Sequence, residues 1–426
     1  MTLIRKLIPE NSFARNAITL MTGTSIAQAI PIAISPILTR LYTPEQFGVF
    51  GLYLALTSIV SVVVTGRYEL AIMLPKKDSE AAQIVALSVV LSFLISSIIL
   101  LCVVFFNTEI THLLGAPELS LWLYLLPLST LLGGVYPSLN YWCNRKRNYK
   151  RLALSRIVQT SATSSIQLGV AGVGPSVGLI GGQILGQGVA TVVLGRIVVK
   201  EDAELLRSVT KLRVLAVARK YTKFPKYMVA GQLASEVSVQ ILLLLLGMFF
   251  GPAIAGFYSL AQRVLAAPIS LVAAAIGDVY RQEAAFTYKK TGNCKDLFLR
   301  TALKLFAFAF IPALPVFFFG PWLFALFFGE EWRAAGEMAS VVSIMVFFQT
   351  VSTPLSQTVL FAGMQSTDLI WQLSRLGLSL LSFYIAYTMF NNYQIAIIMH
   401  VVLFSFLYLT HTVLQYRAAS GKVNNK

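Results

Sequence analysis

The sequence predicts an all-α integral membrane protein of twelve transmembrane helices, arranged as two six-helix lobes related by a parallel internal repeat. Three observations carry that prediction: the composition, the number of apolar spans, and short motifs that recur in order between the halves. Of 426 residues, 56% are hydrophobic and 12% charged, with a mean hydropathy of +0.72. A soluble globular protein carries about a quarter of its residues as Asp, Glu, Lys or Arg, so a soluble enzyme is excluded. Spans of about 20 residues cross a hydrocarbon core of about 30 Å, which leaves room for about twelve spans and little beyond loops. The 34 Lys and Arg against 18 Asp and Glu give a formal charge of +16. In a soluble chain that excess would point to nucleic acid; in a membrane chain the first question is which side holds the cations.

The apolar stretches lie near residues 17–38, 47–65, 81–106, 120–142, 157–173, 178–198, 228–250, 254–279, 301–319, 338–361, 369–389 and 394–414. Backbone polar groups in hydrocarbon must be satisfied within their own segment, so each stretch is read as a helix. The fifth, IVQTSATSSIQLGVAGV, is weakly hydrophobic and rests on a charge argument. The segments flanking spans five and six, NRKRNYKRLALSR and RIVVKEDAELLRSVTKLRVLAVARKYTKFPKY, are both basic. Both belong on the cytoplasmic side, so an even number of crossings separates them.

The N-terminus, MTLIRKLIPENSFARNA, mixes charge into its apolar run and reads as a retained cytoplasmic end. On that footing 31 of the 34 cations fall in inner segments or, for Arg196, Lys304 and Arg375, near the inner ends of spans, Arg40 and Arg333 fall outside, and Arg263 lies deep within span eight. Twelve spans with both termini cytoplasmic fit this distribution, whereas eleven would put a basic loop on the wrong side.

The halves repeat in the same orientation. Pro44, Gly48, Phe50 and Leu52 recur as Pro252, Gly256, Tyr258 and Leu260, and Gln28 falls on Glu236. Leu113-Leu114-Gly115 returns as Phe327-Phe328-Gly329, and Leu154-Ser155-Arg156 as Leu373-Ser374-Arg375. Ordered matches at corresponding span boundaries favour a duplication. The expected organisation is a first lobe at 1–198, a basic cytoplasmic connecting segment at 199–227, and a second lobe at 228–426. Leu205, Leu206, Val209, Leu212 and Val217 give the connection an amphipathic pattern suited to the membrane face, although a plain basic tether fits the same composition.

No metal-ligand cluster, nucleotide-binding loop or catalytic triad appears in the sequence, and no cofactor is expected. GLIGGQILG in span six follows no strand and reads as close helix packing. Cys102, Cys143 and Cys294 have no metal-like spacing and are expected as free thiols. An ionisable group in lipid is costly unless it faces protein or water, which singles out Arg263 and Glu236. They lie at similar depth, so either a buried ion pair or a transport site fits, with Arg263 binding an anion and Glu236 exchanging a proton or cation. Gln28, Gln183, Gln187, Gln232, Gln240, Gln349, Gln357 and Gln372 either glue helices together or line a lumen suited to hydroxyl-rich cargo. At the inner end of span two, Arg67 and Glu69 suit a gate, a phosphate contact or simple interfacial anchoring.

Four segments, LTRLYTPEQFGVFGLY, GRYELAIMLPKKDSEA, FALFFGEEWRAAGEMA and PLSQTVLFAGMQ, spaced from span one to span eleven, resemble the polysaccharide-type flippases of the multidrug/oligosaccharidyl-lipid/polysaccharide (MOP) exporter superfamily, the Wzx-like O-antigen translocases. The resemblance implies a MATE-like fold. It also implies transport of an undecaprenyl-diphosphate-linked oligosaccharide across a bacterial inner membrane, by rocking two lobes around a cationic cavity with ion coupling. Polysaccharide polymerase and chain-length proteins are the implied protein partners, besides membrane lipids, and nucleic acid is not. Within that scheme Arg263 is the candidate for the diphosphate in transit, Arg67 and Arg156 for the inner mouth, and Arg40 and Arg375 are further cationic candidates. Glu236 and Glu69 are the ion-coupling candidates. A drug antiporter of the same superfamily is the alternative, and it would favour acidic lumen residues. A membrane enzyme would need a larger extramembrane segment or an acidic cluster than the chain offers.

Overall fold

The computed structural model describes residues 12–174 and 176–421, and places side chains from residue 21 onward except at 267–272, 274–275, 278, 360, 365–366 and 368–369. The N-terminal segment expected on the cytoplasmic side lies outside the described residues through position 11. The described residues are helical with short connections. Helices of ten residues or more are labelled α1 Ser12–Leu41, α2 Pro44–Val64, α3 Asp78–Leu113, α4 Leu126–Arg145, α5 Tyr149–Gly169, α6 Val177–Glu201, α7 Lys211–Lys220, α8 Val229–Phe250, α9 Pro252–Thr291, α10 Lys295–Phe328, α11 Arg333–Leu355, α12 Gln365–Phe390 and α13 Tyr393–Ala419. All of these except α7 occupy the twelve positions at which the sequence places spans.

By length and apolarity alone, nine described helices qualify to cross a membrane, or ten if the bent pair Pro117–Leu123 and α4 is one span. Of the expected twelve, α5 falls short by apolarity, while α9 includes positions whose side chains lie outside the described set. For α5 the reason is visible in its residues: IVQTSATSSIQLG spends its polar groups on neighbouring helices and on a cavity, so the average stays low although the helix forms. α3 and α10, only 17% and 11% buried over their most apolar windows, carry their Phe and Leu side chains outward as a lipid-facing surface. α2, α6 and α11 are half-buried or more and form interior packing.

The chain divides into two compact units: residues 1–42 with 52–236, and residues 43–51 with 237–426. Compared with the expected division at 198 and 227, the connecting segment and residues 228–236 fall in the first unit, and residues 43–51, which open α2, fall in the second.

In the first unit, α5 packs between α1 and α6, and α3 packs on α4. A core at one end joins Tyr68, Ile72, Ala81, Val85, Trp142, Cys143, Leu152, Val198 and Val217. Val217 belongs to α7, so the connection is a docked helix and not a free tether.

In the second unit, α11 is central, contacting α9, α10 and α13. Trp332, just before α11, is fully buried with Phe47 at 4.9 Å edge-on, which joins two of the segments that carry the family resemblance. Another core gathers Tyr280, Cys294, Phe298, Leu305, Leu355 and Ala419. Gly48 and Gly256, the repeat-related pair, face one another's neighbours. A Cβ at Gly48 would overlap the carbonyl oxygen of Pro252, and a Cβ at Gly256 that of Pro44. The recurring Pro-x-x-x-Gly pattern is therefore a reciprocal close crossing that only glycine permits. All three cysteines are free thiols, Cys102 exposed and the other two buried.

Candidate functional site

Within the first unit, a cavity of about 400 Å³ is lined by Tyr136, Pro137, Asn140, Tyr141, Asn144, Arg156 and Gln159. Its size falls within the range of small-molecule sites. α4 supplies Tyr136, Asn140 and Asn144 at helical spacing, so they share one face, and α5 supplies Arg156 and Gln159. The two walls are tied together where Tyr136 Oη and Ser155 Oγ lie 3.1 Å apart. Arg156 Nη1 donates to Thr24 Oγ1 of α1 at 2.6 Å, which fixes the guanidinium while leaving its other donors to the cavity. The lining thus combines one cation, three side-chain amides and two tyrosines, groups that hydrogen-bond hydroxyls and charged oxygens and present aromatic faces to sugar rings.

Against this wall packs the short helix Tyr68–Met73, which follows Arg67 and contacts α4. Glu69 is 4% exposed, accepts a short hydrogen bond from Thr65 Oγ1, and receives Arg67 Nη1 at 3.3 Å. Arg67 sits in the left-handed backbone region with φ 61°, and its Nε is buried without a hydrogen-bond partner. A non-glycine residue held there costs on the order of 1–2 kcal/mol, and the Glu69 pair and flanking core keep it in place. Arg67 and Glu69 therefore form an internal pair beside the cavity.

The docked connection closes this end of the unit with a row of polar ties. Asp78 receives Arg145 Nε at 2.9 Å and Lys146 Nζ at 2.6 Å. Asp202 receives Trp142 Nε1 at 2.8 Å, with Lys146 Nζ 3.5 Å away. Burial alone would lower the Lys146 ammonium, but the Asp78 hydrogen bond and the Asp202 charge outweigh it and hold its pKa above the ordinary lysine value. Lys220 Nζ donates to Glu80 Oε1 at 2.6 Å, and that bond likewise raises the Lys220 pKa. Tyr68 Oη donates to the carbonyl of Ala218 at 2.9 Å, linking α7 to the residue after Arg67.

The second unit holds a different arrangement. Arg375, the repeat counterpart of Arg156, is 7% exposed, with its guanidinium carbon 4.9 Å from the Trp371 ring, 5.6 Å from Phe404 and 5.7 Å from Tyr408. Its Nε is buried without a hydrogen-bond partner. His411 stacks on Trp371 at 4.0 Å and accepts or shares a hydrogen bond with Gln415 Nε2 at 2.9 Å, while His400 Nδ1 lies 3.2 Å from Ser379 Oγ. Arg375 is thus an interior cation, although it counts with the basic end in the sequence.

Of the remaining candidates, Arg40 is exposed in the last turn of α1 and does not line the cavity. Glu236 is the last residue of the first unit, and Arg263 lies on α9 in the second, where it is half-buried. The structure gathers Arg156, Arg67 and Glu69 in one region. Sequence reasoning missed Tyr136, Asn140, Asn144 and Gln159, although three of them repeat every fourth residue along α4. Among the glutamines, the interior contacts include Gln83 with Ser208 and Thr210, and Gln167 with Leu179, both of the helix-gluing kind.

Against known proteins, the family described as polysaccharide biosynthesis protein matches residues 37–337. The chain belongs to the polysaccharide biosynthesis protein family. No curated protein matches it by sequence. Among solved structures, it is similar to an inward-facing multidrug resistance MATE family transporter of the MOP superfamily, with 15% identity, 96% of this chain and 95% of that chain covered, and a TM-score of 0.66. An outward-facing multidrug resistance MATE transporter gives 14% identity, coverage of 96% and 97%, and a TM-score of 0.61. A MOP superfamily transporter from Pyrococcus furiosus, whose binding pocket is described as of reverse polarity, gives 14% identity, coverage of 96% of both chains, and a TM-score of 0.59. This family member therefore has a MATE-like fold, as the resemblance of the four sequence segments implies.

Proposed function

We propose that this polysaccharide biosynthesis family member is a flippase. It translocates an undecaprenyl-diphosphate-linked oligosaccharide, such as an O-antigen repeat unit, across the bacterial inner membrane by alternating access with both termini cytoplasmic. The observation that carries this reading is the cavity of the first unit. A diphosphate sugar headgroup needs charge-assisted donors, hydrogen-bonding amides and aromatic faces, and Arg156, Asn140, Asn144, Gln159, Tyr136 and Tyr141 supply all three. The polyprenyl tail requires no protein, because the lipid-facing surfaces leave it in the bilayer. Arg67 meets the headgroup at the entrance, Arg263 in transit, and Glu69 and Glu236 carry the coupling ion.

Drug antiport is the second reading, favoured by the multidrug resistance role of two structural neighbours. The cavity lining holds a cation and no carboxylate, which disfavours a cationic drug. The test is a deletion strain complemented with the unaltered chain or with Arg156→Ala. Surface polysaccharide and inner-leaflet lipid-linked repeat units are measured at matched expression. Loss of a charge-assisted contact should lower export at least about tenfold. Normal polysaccharide with altered drug tolerance in the deletion strain would overturn the flippase reading.

A further inference from the structure

The connection between spans six and seven has two faces that ask for different surroundings. On one face of α7, Val217 is 6% exposed within the core of the first unit, with Val214, Ala218 and Tyr221 packed beside it. On the opposite face Leu212 is 82% and Leu215 50% exposed, and Lys211, Arg213 and Arg219 surround them, all exposed. A helix facing water would not centre its outer face on leucines, and one facing hydrocarbon would not carry three cations there. The interface between headgroups and acyl chains satisfies both.

The height of α7 agrees. Lys220 is bonded to Glu80, while Gln83 Nε2 donates to the Ser208 carbonyl and Gln83 Oε1 accepts from Thr210 N, each at 3.2 Å. Glu80 and Gln83 lie in the first two turns of α3, where its long apolar run begins. α7 is thus held at the level where α3 enters the membrane.

We propose that the outer face of α7 binds anionic phospholipid headgroups, with Lys211, Arg213 and Arg219 on the phosphates and Leu212 and Leu215 among the upper acyl carbons. The inner face passes this anchoring on, because the Ala218 carbonyl receives Tyr68 Oη, one residue after Arg67. Lipid bound to α7 therefore steadies the segment that holds the Arg67 and Glu69 pair.

The test uses the full chain in detergent, titrated with phosphatidylglycerol, phosphatidylcholine or inorganic phosphate and followed by native mass spectrometry. No lipid-linked sugar is present, so the result is separate from that of the flippase test. Phosphatidylglycerol should be retained over phosphatidylcholine, and added salt should weaken only the former. Combining Lys211→Gln, Arg213→Gln and Arg219→Gln should weaken phosphatidylglycerol binding about a hundredfold and spare phosphatidylcholine. Lys211→Arg with Arg213→Lys and Arg219→Lys should keep it, and Leu212→Glu alone should reduce it. Salt-insensitive retention in the unaltered chain would overturn the proposal without recourse to any variant. So would full binding by the glutamine variant, displacement of the lipid by inorganic phosphate, or unchanged binding in Leu212→Glu, which would point to a protein partner on this face.

Discussion

Arg156 and Arg375 share the tripeptide Leu-Ser-Arg yet meet opposite surroundings. Arg156 bonds Thr24 and opens on a polar cavity; Arg375 is enclosed by three aromatic rings. A desolvated aromatic face can offset on the order of 2 kcal/mol of the cost of burying a guanidinium, but replacing a buried cation by an apolar side chain of similar volume is often neutral or stabilising. Arg375→Met should therefore match or exceed the thermal stability of the unaltered protein in detergent. Arg375→Ala, which empties the cage, should lose about 2–5 kcal/mol. A Met variant that unfolds far earlier than the unaltered chain would show that the charge itself holds the cage together. The serine of the first tripeptide adds a tie of its own, with Ser155 reaching Tyr136 across to α4.

Among the elements, the crossing of α2 and α9 shows what the internal repeat does. Gly48 and Gly256 each lie against the carbonyl oxygen of the other repeat's proline, so neither can take a side chain without separating the helices. Gly48→Ala and Gly256→Ala should each destabilise the protein by about 1–3 kcal/mol, the usual cost of overpacking, read as a lower unfolding midpoint. Gly377 in α12 is the control, because nothing lies within 4 Å of a Cβ there. Gly377→Ala should leave stability unchanged or raise it slightly through helix propensity. Equal effects at all three positions would remove the close crossing as the reason for the motif. The ties of α7 to α3 belong to the same scale. Its pattern of apolar residues predicts a helix with two faces, but not that Val217 fills the core of the first unit while Leu212 stays outside it.

For the whole molecule, the charge distribution makes a topological prediction. With twelve crossings, single cysteines replacing Asn148 and Asn293 should react with an impermeant thiol reagent from the cytoplasmic side, and those replacing Glu118 and Asn391 from the other, in a chain whose native cysteines are removed. Labelling of Asn148 and Asn391 positions from the same side would break the twelve-span reading. This experiment bears most on α5, which apolarity alone does not mark as a span. α5 escapes a hydropathy window because its Ser, Thr and Gln side chains serve the interior, and the flanking basic segments reveal it instead.

The sequence by itself determined the fold class, the positions of the twelve long helices, the repeat and the family, because the hydrocarbon core forces each span to be long, apolar and internally hydrogen-bonded. The rarity of charge in lipid singled out Arg263 and Glu236, a place at the inner end of span two singled out Arg67 and Glu69, and the family resemblance added Arg156 as a candidate. Tertiary structure decided the rest. Asn140, Asn144 and Tyr136 look like ordinary members of a mixed span until α5 brings Arg156 and Gln159 to the same face. Arg375 lies near the inner end of its span in the sequence, and the packing of α13 against α12 buries it under Phe404 and Tyr408. Periodicity records which residues share a face of their own helix; which neighbour that face meets, and so whether a cation becomes a cavity wall or a caged interior charge, is settled by contacts between residues far apart in the chain.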